Sequence, residues 1–226
     1  MRNVLGLSAG MILWLPIQAY AQPAGRPETM TKIVVRVEGP GIKPGSFAAL
    51  PRTIYRAGDR YARMEDPPDA RQRTEKLIII AEPDAYSLNV IEKKGTHAID
   101  RGATSDIHLP VVLPFDPKHK LGVLDKLEFG DEFDFFQNAG AVKQPGPIVN
   151  GKQTDSYVLR TPEGPATLVV RAGTERPIFF SWQTADGTYR YEYIEYEEEP
   201  FNPALFSKPN GYEIEEIRPQ GDDGQQ

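Results

Sequence analysis

The segment PIFFSWQTADGTYRYEYIEYEE (residues 177–198) decides the fold of this chain. Apolar and polar side chains alternate along both of its halves, as they do in β-strands with one buried face. Asp186-Gly187 separates the halves, and glycine accepts the positive φ of a tight hairpin turn. The segment therefore predicts two antiparallel strands that share one broad aromatic surface. That surface consists of Ile178, Phe180, Trp182, Tyr189, Tyr191 and Tyr193.

Short apolar or alternating runs recur along the rest of the chain. They lie at residues 30–38, 51–64, 75–81, 86–92, 96–100, 153–161 and 166–172. Clusters of Gly, Pro, Asn and Asp separate them, which is typical of a β-meander. About ten strands at this spacing predict a mainly β fold, a single curled antiparallel sheet forming a half-open β-barrel with one or two short helices as a lid. The alternation breaks at Tyr193-Ile194, which predicts a β-bulge.

Residues 113–137 interrupt the strand pattern. Asp116-Pro117 resembles a helix N-cap followed by proline in the first turn. Three leucines then follow at intervals of three residues: Leu121, Leu124 and Leu127. We expect a short amphipathic helix here, ending near Gly130, and one more helical turn at residues 203–206.

The first 21 residues have the layout of a secretory signal peptide. Met1-Arg2-Asn3 is followed by an apolar run at residues 4–17, and Ala19-Tyr20-Ala21 places small residues before the cleavage position. The run is shorter than the roughly 20 residues that a membrane span needs. We expect a periplasmic protein without an integral membrane segment. Its predicted parts are a signal peptide at 1–21, one β domain at 22–218 and a disordered tail at 219–226.

Composition excludes several classes of function. The chain carries 26 Lys and Arg against 32 Asp and Glu, a net charge of −6, which argues against nucleic acid as a partner. It contains no cysteine, so it has neither disulfides nor thiolate metal ligands. Its three histidines, His97, His108 and His119, lack the spacing of a helical zinc motif. We expect no metal and no cofactor.

Two acidic clusters are the strongest candidates for catalysis. One consists of Asp131, Glu132 and Asp134 among phenylalanines, and the other of Glu195 and residues 197–199. Paired carboxylates hydrolyse glycosides or bind calcium in other proteins. We interpret both clusters as solvated surface and expect no enzyme. A hydrolase that uses Asp131 or Asp134 with one of these glutamates is the weaker alternative.

The aromatic surface has two interpretations. It is either ordinary core covered by the helix, which the sequence by itself favours, or a concavity for an apolar ligand.

The C-terminal third resembles a known family. Residues 153–216 contain paired long strands followed by the pattern F-x-P-x-L-F-x-x-P-x-G-Y, and in this respect the chain is similar to the LolA/LolB-type periplasmic lipoprotein carriers. The pattern residues are Phe201, Pro203, Leu205, Phe206, Pro209, Gly211 and Tyr212. The resemblance implies a half-open β-barrel closed by helices, with an apolar cavity for acyl chains.

On this resemblance we expect an exported carrier that binds a lipid or a lipoprotein acyl chain, with an envelope protein as a further partner. The helix around Leu124 is then a lid. The alternative is a non-catalytic scaffold that docks a partner protein on its sheet face. Strand face and apolarity select the candidate ligand-binding residues, Ile33, Val35, Ile78, Ile80, Leu124, Phe180, Trp182 and Tyr191.

Overall fold

The computed structural model describes residues 26–99, 109–112 and 120–217. The predicted signal peptide, the Asp116-Pro117 cap, His108, His119 and the predicted tail at 219–226 lie outside these residues. Within them, no helix is long and apolar enough to cross a membrane.

The described residues form twelve β-strands and one α-helix. The strands are β1 (Thr29–Glu38), β2 (Arg52–Ala57), β3 (Tyr61–Glu65), β4 (Lys76–Ala81), β5 (Asp84–Asn89), β6 (Lys94–Ile99), β7 (Val142–Pro145), β8 (Thr154–Arg160), β9 (Pro165–Arg171), β10 (Pro177–Thr184), β11 (Gly187–Pro200) and β12 (Glu213–Ile217). The helix is α1 (Glu132–Asn138), and 3₁₀ turns lie at Phe47–Ala49, Gly122–Lys126 and Pro203–Phe206.

All twelve strands belong to one sheet, in the order β12-β6-β5-β4-β3-β2-β1-β11-β10-β9-β8-β7. Each strand pairs antiparallel with its neighbours except β12, which pairs parallel with β6. Two meanders, β1–β6 and β7–β11, thus meet where β1 pairs with β11. The prediction of a mainly β fold with one curled, open sheet is confirmed. Among the described strands, the edges β12 and β7 do not pair with each other, so the sheet is not a closed barrel.

The hairpin of β10 and β11 has the predicted aromatic pairing. Phe180 lies opposite Tyr191, and Trp182 lies opposite Tyr189. The turn is Ala185-Asp186, one residue earlier than predicted, because Thr184 pairs with Gly187. Gly187 opens β11 with φ +135°, and a Cβ there would lie 2.9 Å from Pro40 Cγ.

The predicted β-bulge is confirmed. Val34 of β1 lies opposite Glu195, whereas Val35 lies opposite Tyr193. Ile194 is therefore the extra residue of β11, and half of its surface is exposed.

The concave face of the sheet carries the main hydrophobic core. Its strands contribute buried side chains from both meanders, among them Ile33, Val35, Val37, Ile54, Ile80, Tyr157, Leu168, Phe180, Trp182 and Tyr191. Two described parts of the connection between β6 and β7 cover this face, residues 109–112 and 121–139, and we call them the plug. The plug buries Leu109, Val111, Val112, Leu124, Leu127, Phe129 and Phe136 against the sheet.

The plug differs from the predicted amphipathic helix. Residues 122–126 form a 3₁₀ turn, and the α-helix begins later, at Glu132. Leucines at intervals of three suit a helix with three residues per turn, and Gly122 has φ +59°, outside the α-helical region. Leu124 and Leu127 are nonetheless fully buried, so the predicted role of covering the sheet is retained.

The C-terminal segment packs on the opposite, convex face. The rings of Phe201 and Phe206 stack with centroids 5.3 Å apart, and Tyr61 of β3 packs edge-on against both. Arg63 donates a hydrogen bond to the Leu205 carbonyl (2.8 Å). The predicted helical turn is confirmed as the 3₁₀ turn Pro203–Phe206. The first part of the motif that carries the family resemblance, residues 201–206, therefore packs on the outside of the sheet.

Candidate functional site

The structure places the eight predicted ligand-binding residues in one hydrophobic core. Seven of them are buried, and Ile78 is half-buried and packs against the same core. Leu124 belongs to the plug and the others belong to the sheet, so they meet across the interface between plug and sheet. In the described part of the chain the plug fills this interior, and none of the eight lines the three main open cavities.

Tyr191 is an unusual polar group on the concave face. Its side chain is 1% exposed and packs against Phe180, with ring centroids 5.3 Å apart. Its hydroxyl has no hydrogen-bond partner among the described residues. Burial raises the pKa of this phenol well above its usual value, so the group is a neutral donor. An unsatisfied buried hydroxyl costs about 1–3 kcal/mol of stability.

The two other tyrosines at this end of β11 are satisfied by one carboxylate. Tyr193 donates its hydroxyl hydrogen to Glu132 Oε1 (2.9 Å), and Tyr196 donates to Oε2 (3.2 Å). The Gly130 amide also donates to Oε2 (3.0 Å). Glu132 lies in the first turn of α1 and is completely buried. It therefore links the plug helix to the strand that joins the two meanders.

Burial raises the pKa of Glu132 to about 7, and the hydrogen bonds from Tyr193, Gly130 and Tyr196 oppose that shift. The prediction that this acidic cluster is solvated is wrong for Glu132. A carboxylate among phenylalanines can be buried when hydroxyl and amide donors surround it, and the hydroxyl donors come from a distant strand that the local pattern does not show.

A second polar link lies beside the first. Arg56 of β2 pairs with Glu128, and its Nη2 lies 3.3 Å from Asp131 Oδ2. Burial raises the pKa of Asp131, and the Arg56 guanidinium partly offsets that effect. Both links therefore hold the start of α1 on the concave side of the sheet.

An open cleft of about 580 Å³ lies next to α1. Its walls come from α1, β1, β7, β8, the turn between β9 and β10, and β11. The structure brings Asp131 and Asp134 to the same cleft as Glu198, whereas Glu195 pairs with Lys32 outside it (2.7 Å). No described group of three acidic or histidine side chains is arranged to hold a metal ion. The lining includes Asp131, Phe133, Asp134, Tyr157, Arg176 and Glu198.

The described histidine, His97, has a structural position. Its ring lies between Asp84 (2.8 Å) and Glu216 (2.6 Å) and stacks on Tyr86. It therefore joins β5 and β6 to β12.

Comparison with known proteins supports the fold. No protein-family model matches the chain, and no curated protein matches it. It is similar to the crystal structure of an uncharacterized conserved protein from Thermus thermophilus, with a TM-score of 0.51 and 10% identity over 84% of this chain and 91% of that chain. At this identity the likeness shows a shared fold and nothing more.

Two further solved structures match with lower scores. PNGF-II matches with a TM-score of 0.37 and 8% identity, over 84% of this chain and 31% of that chain. A putative outer membrane lipoprotein-sorting protein domain from Vibrio parahaemolyticus matches with a TM-score of 0.30 and 8% identity, over 76% of this chain and 84% of that chain. Scores this low carry no argument, so the resemblance to the carriers stays a prediction.

The buried carboxyl predicts a pH-dependent stability. The pKa of Glu132 is about 7 in the folded chain and its ordinary value is 4.5, so its contribution is present at low pH and is lost as the pH rises through 7. We expect this group to lower the free energy of unfolding by about 2–3 kcal/mol between pH 5 and pH 8. Urea unfolding of wild type and Glu132→Gln at both pH values measures the difference.

The Gln variant should lack this part of the pH dependence, because its side chain stays neutral. Glu197→Gln, at an exposed position of β11, is the control and should retain it. The same pH dependence in wild type and Glu132→Gln would contradict the assignment.

Proposed function

We propose that this protein binds an apolar or amphiphilic ligand, such as a lipid acyl chain, on the concave face of its sheet, in the place that the plug occupies. The observation that carries the proposal is the cover of that face. Among the described residues, a broad aliphatic and aromatic surface is covered by one connection with a single two-turn helix, and not by a second complete layer. Two-layer domains ordinarily cover such a surface with a second layer of helices or strands.

The energies of exchange are comparable. Leu124, Leu127 and Phe136, three of the seven apolar side chains that the plug packs against the sheet, are each fully buried. Exposing three such side chains costs about 5–9 kcal/mol. Burying a 16-carbon chain contributes about 12 kcal/mol at roughly 0.8 kcal/mol per methylene. A long acyl chain is therefore able to displace part of the plug.

The hydroxyl of Tyr191 supports an oxygen-bearing ligand. It is buried in the floor of this site without a partner among the described residues. A carboxylate or ester oxygen entering the site would accept its hydrogen bond and remove the cost of burying it unpaired. A ligand made only of hydrocarbon would leave the Tyr191 hydroxyl buried and unpaired.

The proposed activity is binding without catalysis, by an exported carrier. The sequence pattern at residues 1–21 supports export. Binding at this site uses apolar contact and one neutral donor, and needs no nucleophile or metal.

Weakening the plug should tighten ligand binding. Phe136 packs edge-on against Phe180 with ring centroids 6.0 Å apart. Phe136→Ala should remove about 3–5 kcal/mol of packing energy from the plug and so reduce the cost of displacing it. We expect the Kd for N-phenyl-1-naphthylamine, an apolar fluorescent probe, to fall at least about tenfold.

Phe206→Ala is the matched control. Phe206 is equally apolar and 4% exposed, but it lies on the convex face. The free energy of unfolding of Phe206→Ala should fall by a similar amount, and its Kd for the probe should not change. Absence of probe binding, or an equal gain in both variants, would contradict the proposed site.

The unpaired phenol gives an independent prediction. Tyr191→Phe should raise the free energy of unfolding by about 1 kcal/mol, because it removes an unsatisfied hydroxyl. Hexadecanoate should then displace the oxygen-free probe about five times less effectively, whereas the affinity for the probe itself stays the same. Competition titrations of both proteins measure this. Equal displacement by hexadecanoate in both would show that Tyr191 does not contact the ligand.

A further inference from the structure

The second half of β11 extends beyond its neighbour β10. β10 pairs with β11 only up to Glu192, which lies opposite Phe179. On their other side, residues 193 and 195–200 pair with β1. This overhang, residues 193–200, therefore has one side without a neighbouring strand among the described residues, although it lies in the middle of the sheet.

Backbone groups point into that gap. The Phe201 amide donates to the Glu28 carbonyl across the β1 side (2.9 Å). Hydrogen-bonding direction alternates along an antiparallel strand, so the N–H and C=O groups of Tyr196 and Glu198 point away from β1. Within the described chain, neither residue pairs with a strand on that side, and neither backbone forms a hydrogen bond outside the strand pairing. The overhang therefore has unpaired backbone donors and acceptors, and another β-strand can form hydrogen bonds with them.

There is room for another strand beside the overhang. The 580 Å³ cleft opens on its concave side, and a second cavity of about 300 Å³ opens next to it. Arg176 and Tyr196 line both, so the two spaces adjoin along the free edge. The turn between β9 and β10 lies across these two spaces from the overhang.

The acidic side chains of the overhang indicate which kind of strand can bind there. Glu195 is paired with Lys32 of β1. Glu197, Glu198 and the nearby Asp134 have no ion pair within the ranges that the structure describes. The free edge is therefore acidic, and it favours cationic side chains on an incoming strand.

The same charge excludes another occupant. Directly opposed side chains dominate strand pairing, so the neighbours of a new strand would be Tyr196, Glu197 and Glu198. Like charges reject a second acidic copy of the same edge. Basic side chains of other elements also line these spaces, Lys143 and Arg176 in the cleft and Lys152 and Arg176 in the smaller cavity, and Lys143 is paired with Asp155 (3.0 Å).

We propose that residues 193–200 bind an extended, lysine- or arginine-rich segment of a partner protein as an added β-strand. Main-chain hydrogen bonds to Tyr196 and Glu198 supply the pairing, and the glutamates select for cationic side chains. The overhang adjoins the plug through Tyr193 and Tyr196, but the proposed pairing uses backbone groups of β11 and requires no ligand on the concave face.

The test uses the purified protein and a six-residue peptide, acetyl-KVKVKV-amide, with fluorescence anisotropy for affinity and amide NMR for location. We expect salt-sensitive binding that shifts the amide signals of Tyr196 and Glu198. Two peptides are controls. Acetyl-KVKPKV-amide keeps the charge but lacks one backbone N–H donor in the middle of the strand, and acetyl-EVEVEV-amide reverses the charge. Both should bind at least about tenfold more weakly.

Two protein variants complete the test. Glu198→Gln should weaken binding about three- to fivefold, because it removes one opposed charge and leaves the backbone in place. Glu215→Gln, on the acidic edge strand β12, should not change it. Equal binding of the proline peptide, equal loss in both variants, or no binding of acetyl-KVKVKV-amide would overturn the proposal.

Discussion

The pairing of β1 with β11 is the constraint on which the rest of this structure depends. Each of the two meanders is a sheet of short strands with one apolar face, and neither has a partner layer of its own among the described residues. Ten residues of β1 pair with β11 across the bulge at Ile194 and join these faces into one concave surface. The same pairing places Tyr193 and Tyr196 where they reach Glu132, and it leaves the overhang of β11 beyond β10.

The concave surface is large and its cover is small, and this imbalance gives the molecule its proposed activity. The plug contributes apolar side chains, but its attachment to the sheet includes two polar links, Glu132 with its tyrosines and Arg56 with Glu128 and Asp131. Buried polar links are costly to break singly, yet water can satisfy them once the plug lifts. Apolar packing alone would give a more permanent core.

Alternating side chains predicted the strands because one face of each is buried, and the Phe180 and Trp182 partners across the hairpin follow from that alternation. The break at Tyr193-Ile194 likewise predicted the bulge. The buried state of Glu132 could not be predicted, since its hydroxyl donors lie about 60 residues away in sequence and meet it only in the folded chain. The sequence did not predict β7 and β12. Both are exposed edge strands, one with a proline and the other with three glutamates, and neither alternates regularly between apolar and polar residues.

A ligand that takes the place of the plug must release α1 from the concave face. Hydrogen–deuterium exchange of α1, with and without hexadecanoate, tests it most directly. We expect the ligand to accelerate exchange of the Glu132–Asn138 amides, whereas the amides of β11 stay protected. Slower or unchanged exchange of α1 in the presence of bound ligand would contradict it.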